Sequence, residues 1–132
     1  MEALWGYLLL AAELKKNKKL HGEPFNFGPA TKKNYNVIEV LKKMKENWNK
    51  VSWQLTQKKF YESNLLKLNS IKAKKKLRWK TILTFDETIK MISEWYKAYY
   101  SSYSSKKNSV AEMTLKQIKC YERLLKKRTK VN

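Results

Sequence analysis

Along the chain the apolar positions recur mostly at spacings of three and four, and only briefly at two. Leu4, Leu8, Ala11 and Ala12 form the first stripe, with Trp5 and Leu9 beside it and "ELKKNKKLHG" after it. This predicts a helix that is apolar around much of its girth, closes with lysines in its last turn and stops near His21-Gly22. "PFNF" then reads as a short strand with Gly28-Pro29 as its breaker. Val37, Val40, Leu41, Met44 and Trp48 predict one face of an amphipathic helix, and the alternation in "VSWQL" (51–55) predicts a strand. "NLLKLN" reads as a second short extended stretch, and Asn69 or Ser70 is placed to cap the helix "IKAKKKLRW".

Two capping-box spacings follow. Thr84 and Glu87 open a helix whose buried face is expected to carry Ile89, Ile92, Trp95, Tyr96 and Tyr99. Thr114 and Gln117 repeat the spacing ahead of a helix with Leu115, Ile118, Tyr121, Leu124 and Leu125 at core positions, beyond a polar stretch from Ser101 to Ser109 that reads as a loop. The sum is four or five helices and three short strands, a mainly helical α/β pattern with no internal repeat. The "PFNFGP" stub looks like a strand leaving a sheet, and the remaining pattern does not supply that sheet.

Composition narrows the reading. The 132 residues fit one domain with a core of useful size, since 42% are apolar and 13% aromatic. Cys120 is the one cysteine, so no internal disulfide forms, and a reducing, cytoplasmic setting fits best. The longest apolar run, Ala3 to Ala12, falls far short of the roughly 20 residues of a membrane-spanning helix, so no membrane is expected as a partner.

The net charge of +19 suggests a polyanion, and a small basic nucleic-acid-binding module is the alternative reading. Yet only Arg78, Arg123 and Arg128 among the 30 basic residues are arginine, the fork that base edges and phosphates favour. The lysines are spread along the chain, which fits solvated helix faces better than one binding stripe.

The chemical motifs are sparse. No phosphate-cradling glycine pattern, zinc-protease motif or nucleophile elbow occurs, and three glycines are too few for a glycine-rich turn. Tyr103 and Lys107 match a Y-x-x-x-K spacing, but inside "SSYSSKKNS" no helical face would bring them together for proton transfer. His21 reads as a surface residue at a helix stop, Cys120 as a packing residue, and Asp86 and Glu87 as helix-capping acids. The tryptophans at 48, 79 and 95 and Tyr96 sit among aliphatic residues and are expected in the core rather than as stacking platforms. No residue is expected to be catalytic or to ligate a metal.

Five blocks carry a resemblance: "EALWGYLLLAAEL", "GEPFNFGP", "LLKLNSIKAKKKLRWK", "FDETIKMISEWYKAYY" and "MTLKQIKCYE". In this order and spacing the chain resembles the C-terminal part of CDP-glucose 4,6-dehydratase, an extended short-chain dehydrogenase/reductase of the nucleotide-sugar group, from Glu2 to about Glu122. The resemblance implies that "NFGP" is a late strand of a parallel NAD-binding sheet, whose other strands, glycine-rich turn and catalytic Tyr and Lys belong to a larger N-terminal portion. The family's Arg, Trp, Gln and His strand would lie just ahead of the first helix. It also implies nucleotide-sugar contacts at Asn26, at Tyr61-Glu62, where the family has His-Glu, and at Lys67. Asn69 stands where Asp is usual, Arg78 where Gly is usual before Trp79, and Thr81 where Pro is usual.

The expected fold is therefore the substrate-side portion of an extended short-chain dehydrogenase, mainly helical and lacking most of the Rossmann sheet. Residues 1–34 would complete an NAD-binding domain, 35–100 form a substrate-side subdomain, 101–111 a linker and 112–132 a C-terminal helix. The expected function is that of a truncated or split CDP-glucose 4,6-dehydratase, inactive alone. It would hold no cofactor, although its parent family uses NAD, and would bind nucleotide sugar once assembled with a separately encoded NAD-binding half or with copies of itself.

Overall fold

A computed structural model describes residues 1–29, 33–55, 68–102 and 109–129. Among them are five α-helices: α1 (Glu2–Leu14), α2 (Val37–Asn47), α3 (Ile71–Leu77), α4 (Phe85–Ser102) and α5 (Ser109–Thr129), with a 3₁₀ turn at Lys18–Leu20. No strand forms among the described residues. The "PFNF" and "VSWQL" stretches join no ladder, because a strand is defined by a partner and neither finds one among the described residues. Most of "NLLKLN" lies outside the described residues. The chain divides into two compact units, Met1–Lys32 with Lys58–Thr81, and Lys33–Gln57 with Ile82–Asn132.

The first unit packs α1 and α3 against the extended segment. Leu20, Ala73, Leu77 and Trp79 are buried at its centre, with Trp5, Leu9, Leu10, Leu14, Phe25 and Phe27 around them. Only one side of α1 is used: Leu4, Tyr7 and Leu8 are 59%, 57% and 63% exposed. The all-round apolar pattern thus covers one packed face and one open face. Gly6 is buried because the Phe27 ring lies where a side chain on it would go. His21 Nε2 hydrogen-bonds the Leu14 carbonyl at 3.0 Å, satisfying a C-terminal oxygen of α1 from seven residues away.

α3 ends in a Schellman-type turn, with Arg78 at φ 53° and the Trp79 amide donating to the Ala73 carbonyl at 3.3 Å. A left-handed backbone suits glycine, the residue that the resemblance makes usual at this position.

The second unit packs α4 against α2 and against α5. Asn36 and Glu39 form a reciprocal capping box on α2, a spacing that sequence reading passed over. Thr84 and Glu87 form the expected one on α4, at 2.8 and 3.2 Å. The third expectation fails. α5 starts five residues before Thr114, so the Thr114 hydroxyl donates to the Val110 carbonyl within the helix and accepts from the Trp95 indole N–H at 2.9 Å. Gln117 donates to the Met91 carbonyl at 2.6 Å. Both side chains tie α5 to α4 instead of capping.

The buried faces differ from expectation for the same reason. Ile89, Ser93 and Tyr121 are buried, whereas Ile92, Tyr96, Leu115 and Ile118 are exposed, because polar bonds from Trp95, Thr114 and Gln117 set the rotation of the two helices. Arg128 closes this unit from the last turn of α5, with both nitrogens 2.8 Å from the Glu87 carboxylate and a further bond to the Ile82 carbonyl. The guanidinium and the capping bond to Thr84 pull Glu87 from 4.5 to about 2.

Two outcomes follow from these local geometries. Arg78→Gly should raise stability by about 1 kcal/mol, because it relieves a left-handed non-glycine residue; urea unfolding monitored by circular dichroism would show an unchanged or lower midpoint if that conformation carries no strain. The depressed Glu87 carboxyl contributes stability that is present above pH about 4.5 and lost as the pH falls toward about 2. The pair is a third exposed, so the amount is about 1 kcal/mol. Glu87→Gln should remove that part of the acid dependence, and an unaltered stability profile between pH 5 and 2.5 would count against it.

Candidate functional site

The structure places only part of the expected site. Asn26 is described and lies exposed on the extended segment, whereas Tyr61, Glu62 and Lys67 lie outside the described residues. Tyr103 and Lys107 also lie outside them. His21 is exposed and occupied with the end of α1, and Cys120 is half-buried with Arg123 Nη2 at 3.9 Å from its sulfur. Asp86 pairs with Lys43 at 3.5 Å and Glu87 with Arg128, so both acids are structural. Among the described residues no three His, Cys, Asp or Glu side chains group as a metal site, and no helix is long and apolar enough to cross a membrane.

What the fold does build is a cleft of about 460 Å³ in the first unit, where Gly28-Pro29, the entry to α3 and the Trp79–Thr81 stretch meet. Its position depends on Ser70. The Gly28 amide donates to Ser70 Oγ at 2.8 Å, and the hydroxyl returns to the Gly28 carbonyl at 3.4 Å, tying the extended segment to the entry of α3. Asn69 takes over the cap, its Oδ1 accepting from the Ile71 amide at 2.9 Å. Sequence reading left the cap open between these two; the division of labour arises because one hydroxyl engages a residue 42 positions away.

Glycine at 28 permits the close approach, since a Cβ there would stand 2.9 Å from the Leu68 Cβ. Leu68 and Ile71 give the cleft an apolar wall, and Trp79, 3% exposed, supplies another. Trp79 is fixed from behind, its indole N–H donating to the Glu2 carbonyl at 3.2 Å and its ring meeting Phe27 edge-on at 5.2 Å. Lys74 and Lys80 are the charged lining residues, and no acid lines the cleft among the described residues. Sequence reading missed both lysines, because nothing in "KAKKKLRWK" marks the two that line an opening.

The two segments that meet at this cleft are "GEPFNFGP" and "LLKLNSIKAKKKLRWK". The chain is a partial homologue of a dehydratase, mainly helical and without strands among the described residues. That relative is CDP-glucose 4,6-dehydratase of Salmonella typhimurium, to which the chain is 32% identical over 101 residues. The match covers 75% of this chain and 28% of the relative, in the relative's C-terminal part. No protein-family model matches the chain. No solved structure matches it.

The Ser70 tether gives a direct test of how the cleft is built. Ser70→Ala should cost about 1–2 kcal/mol by leaving the buried Gly28 amide without an acceptor, and should speed hydrogen exchange at Gly28. Unchanged exchange there would mean that the cleft does not depend on this bond.

Proposed function

We propose that this chain supplies the substrate-side portion of a CDP-glucose 4,6-dehydratase and works with an NAD-binding portion that these 132 residues do not contain. The observation that carries the reading is the match to the C-terminal part of that enzyme, covering three quarters of the chain. On this reading the assembled enzyme removes water from CDP-glucose to leave a 4-keto-6-deoxy sugar nucleotide. The chain's own residues bind and orient the nucleotide sugar, with Asn26, Tyr61, Glu62 and Lys67 as the contacts implied by resemblance.

The residues present do not fit NAD. A dinucleotide turn needs glycine amides open to a pyrophosphate. Here Gly6 lies inside a helix under Phe27, the Gly28 amide is held by Ser70, and Gly22 stands alone in a turn. Redox chemistry therefore belongs to the other portion, and no step of it is assigned to this chain.

Two features support a missing partner surface. The apolar face of α1 at Leu4, Tyr7 and Leu8 is open, and the backbone of Phe25, Asn26 and Phe27 makes no hydrogen bond to any described residue. A sheet-bearing portion would cover the first and pair with the second, whether it precedes this chain in one polypeptide or is a separate one.

Mixing the chain with the NAD-binding N-terminal portion of the Salmonella enzyme should give a complex by size-exclusion chromatography and turnover of CDP-glucose that neither piece shows alone. Leu8→Glu should weaken that complex at least about tenfold, by setting a charge into an apolar interface. Absence of both complex and turnover would overturn the reading.

A further inference from the structure

We propose that the exposed aromatic face of α4, together with the end of α2, is a stacking platform for single-stranded nucleic acid, flanked by Lys45, Lys50 and Lys97. It stands apart from the dehydratase reading and lies wholly within the second unit. Exposure alone does not single this face out, since α1 and several other segments also leave large apolar residues open. What singles it out is a run of rings stacked on one another, beside cations that no acid neutralises.

The run is Tyr96, Tyr100 and Trp48. Tyr96 and Tyr100 are 41% and 56% exposed and lie one turn apart on α4, with ring centroids 6.4 Å apart and planes 26° from parallel. Trp48, at the end of α2, continues the run at 5.4 Å from the Tyr100 ring and 30° from its plane. A repeated planar direction is what the successive bases of a single strand need, whereas an acidic helix or a lipid surface gains nothing from it. The sequence pattern marked Trp48 and Tyr96 as core, so the run is a product of the fold.

The cations stand at the same place. Lys45, Lys50 and Lys97 are exposed, and none pairs with a carboxylate among the described residues. Lys45 Nζ lies 5.4 Å from the centre of the Trp53 ring, and Lys97 donates one of its three N–H groups to the Asn47 carbonyl at 3.2 Å. Lys43 on the same helix differs, because Glu46 and Asp86 hold it. Glu94, two residues before Tyr96, is about 200° around α4 from it and faces elsewhere. A polyanion without bases would leave the rings in water, and uncharged planar ligands would leave the lysines unused. A single strand engages both. The platform is also preformed, since the Trp48 amide is held by the Met44 carbonyl at 2.8 Å and Lys97 ties α4 to the end of α2, which lowers the ordering cost of binding.

The test uses the whole chain and the fluorescence anisotropy of labelled oligouridylate and oligothymidylate of about 12 nucleotides at physiological salt. A single strand should bind at least about tenfold more tightly than a duplex of equal length, whose bases are already stacked on each other. Tyr96→Ala with Tyr100→Ala should weaken binding at least about tenfold and leave its salt dependence unchanged, because the phosphates are still neutralised. Tyr96→Phe with Tyr100→Phe keeps the planar faces and should stay within about twofold of the parent. Lys45→Gln with Lys97→Gln should lower the slope of log affinity against log salt by about 1, whereas Lys75→Gln with Lys76→Gln, at exposed positions of the first unit, should leave it unchanged. Circular dichroism checks that each variant is folded. Tyr96→Ala alone, at a ring whose aromatic neighbours are all on its own helix, carries the test if the double variant unfolds.

Duplex binding as tightly as single strand, alanine at 96 and 100 without effect, or polyglutamate displacing the strand at equal charge would each overturn the proposal, by showing that net charge alone attracts a polyanion or an acidic protein. Tighter binding of the uridylate or of the thymidylate names RNA or DNA as the strand, and equal binding means that the sugar is not read. All three support the platform, and none depends on assembly with the NAD-binding portion.

Discussion

The burial of Trp79 is the constraint on which the first unit depends. Its indole would strand a polar N–H in an apolar core if the Glu2 carbonyl did not accept from it, so the start of α1 must lie over the end of α3. Phe27 then has to fit between them, edge-on to Trp79 and to Tyr7, and it fits only because residue 6 has no side chain. Three segments distant in sequence are brought to one point by one ring and one absent methyl group. The left-handed Arg78 is a consequence, since reversing the chain directly after α3 is what returns Trp79 to the core.

The second unit is held differently. Its buried apolar positions are few, and its helices are registered by hydrogen bonds with exact partners: Trp95 to Thr114, Gln117 to the Met91 carbonyl, Arg128 to Glu87. Such bonds contribute modestly to net stability, yet each penalises a rotation of either helix that would break it. Ser93 shows the cost of this design, with a fully buried hydroxyl that has no partner among the described residues. An apolar stripe alone would have tolerated several rotations.

This contrast explains what was legible in the sequence. Helices were legible because a 3.6-residue period survives any tertiary context, and Thr84-Glu87 because a capping box is a local interaction. Thr114-Gln117 has the same spacing and misled, since whether those side chains cap or cross to another helix depends on a tryptophan 19 residues earlier. Tyr96 and Ile92 were read as core because periodicity marks an apolar face without saying which part of it is covered. The strand stubs misled, because pairing is a property of two segments and no single one announces its partner.

The cleft was the least legible feature, and the reason is physical. The lysines in "KAKKKLRWK" are identical as letters, and only the fold separates Lys72, committed to Glu23, from Lys74 and Lys80 at the opening. With a net charge of +19, the presence of a lysine carries little information, whereas the absence of an acid beside it carries much. The same logic applies to apolar residues. In α1 one side is packed on the Trp79 cluster and the other is open, though the pattern that predicted the helix marks both alike. Surfaces that the fold leaves unused are therefore where this chain's function has to be sought, and they are open cations, open aliphatic side chains and an extended backbone with no partner in the first unit.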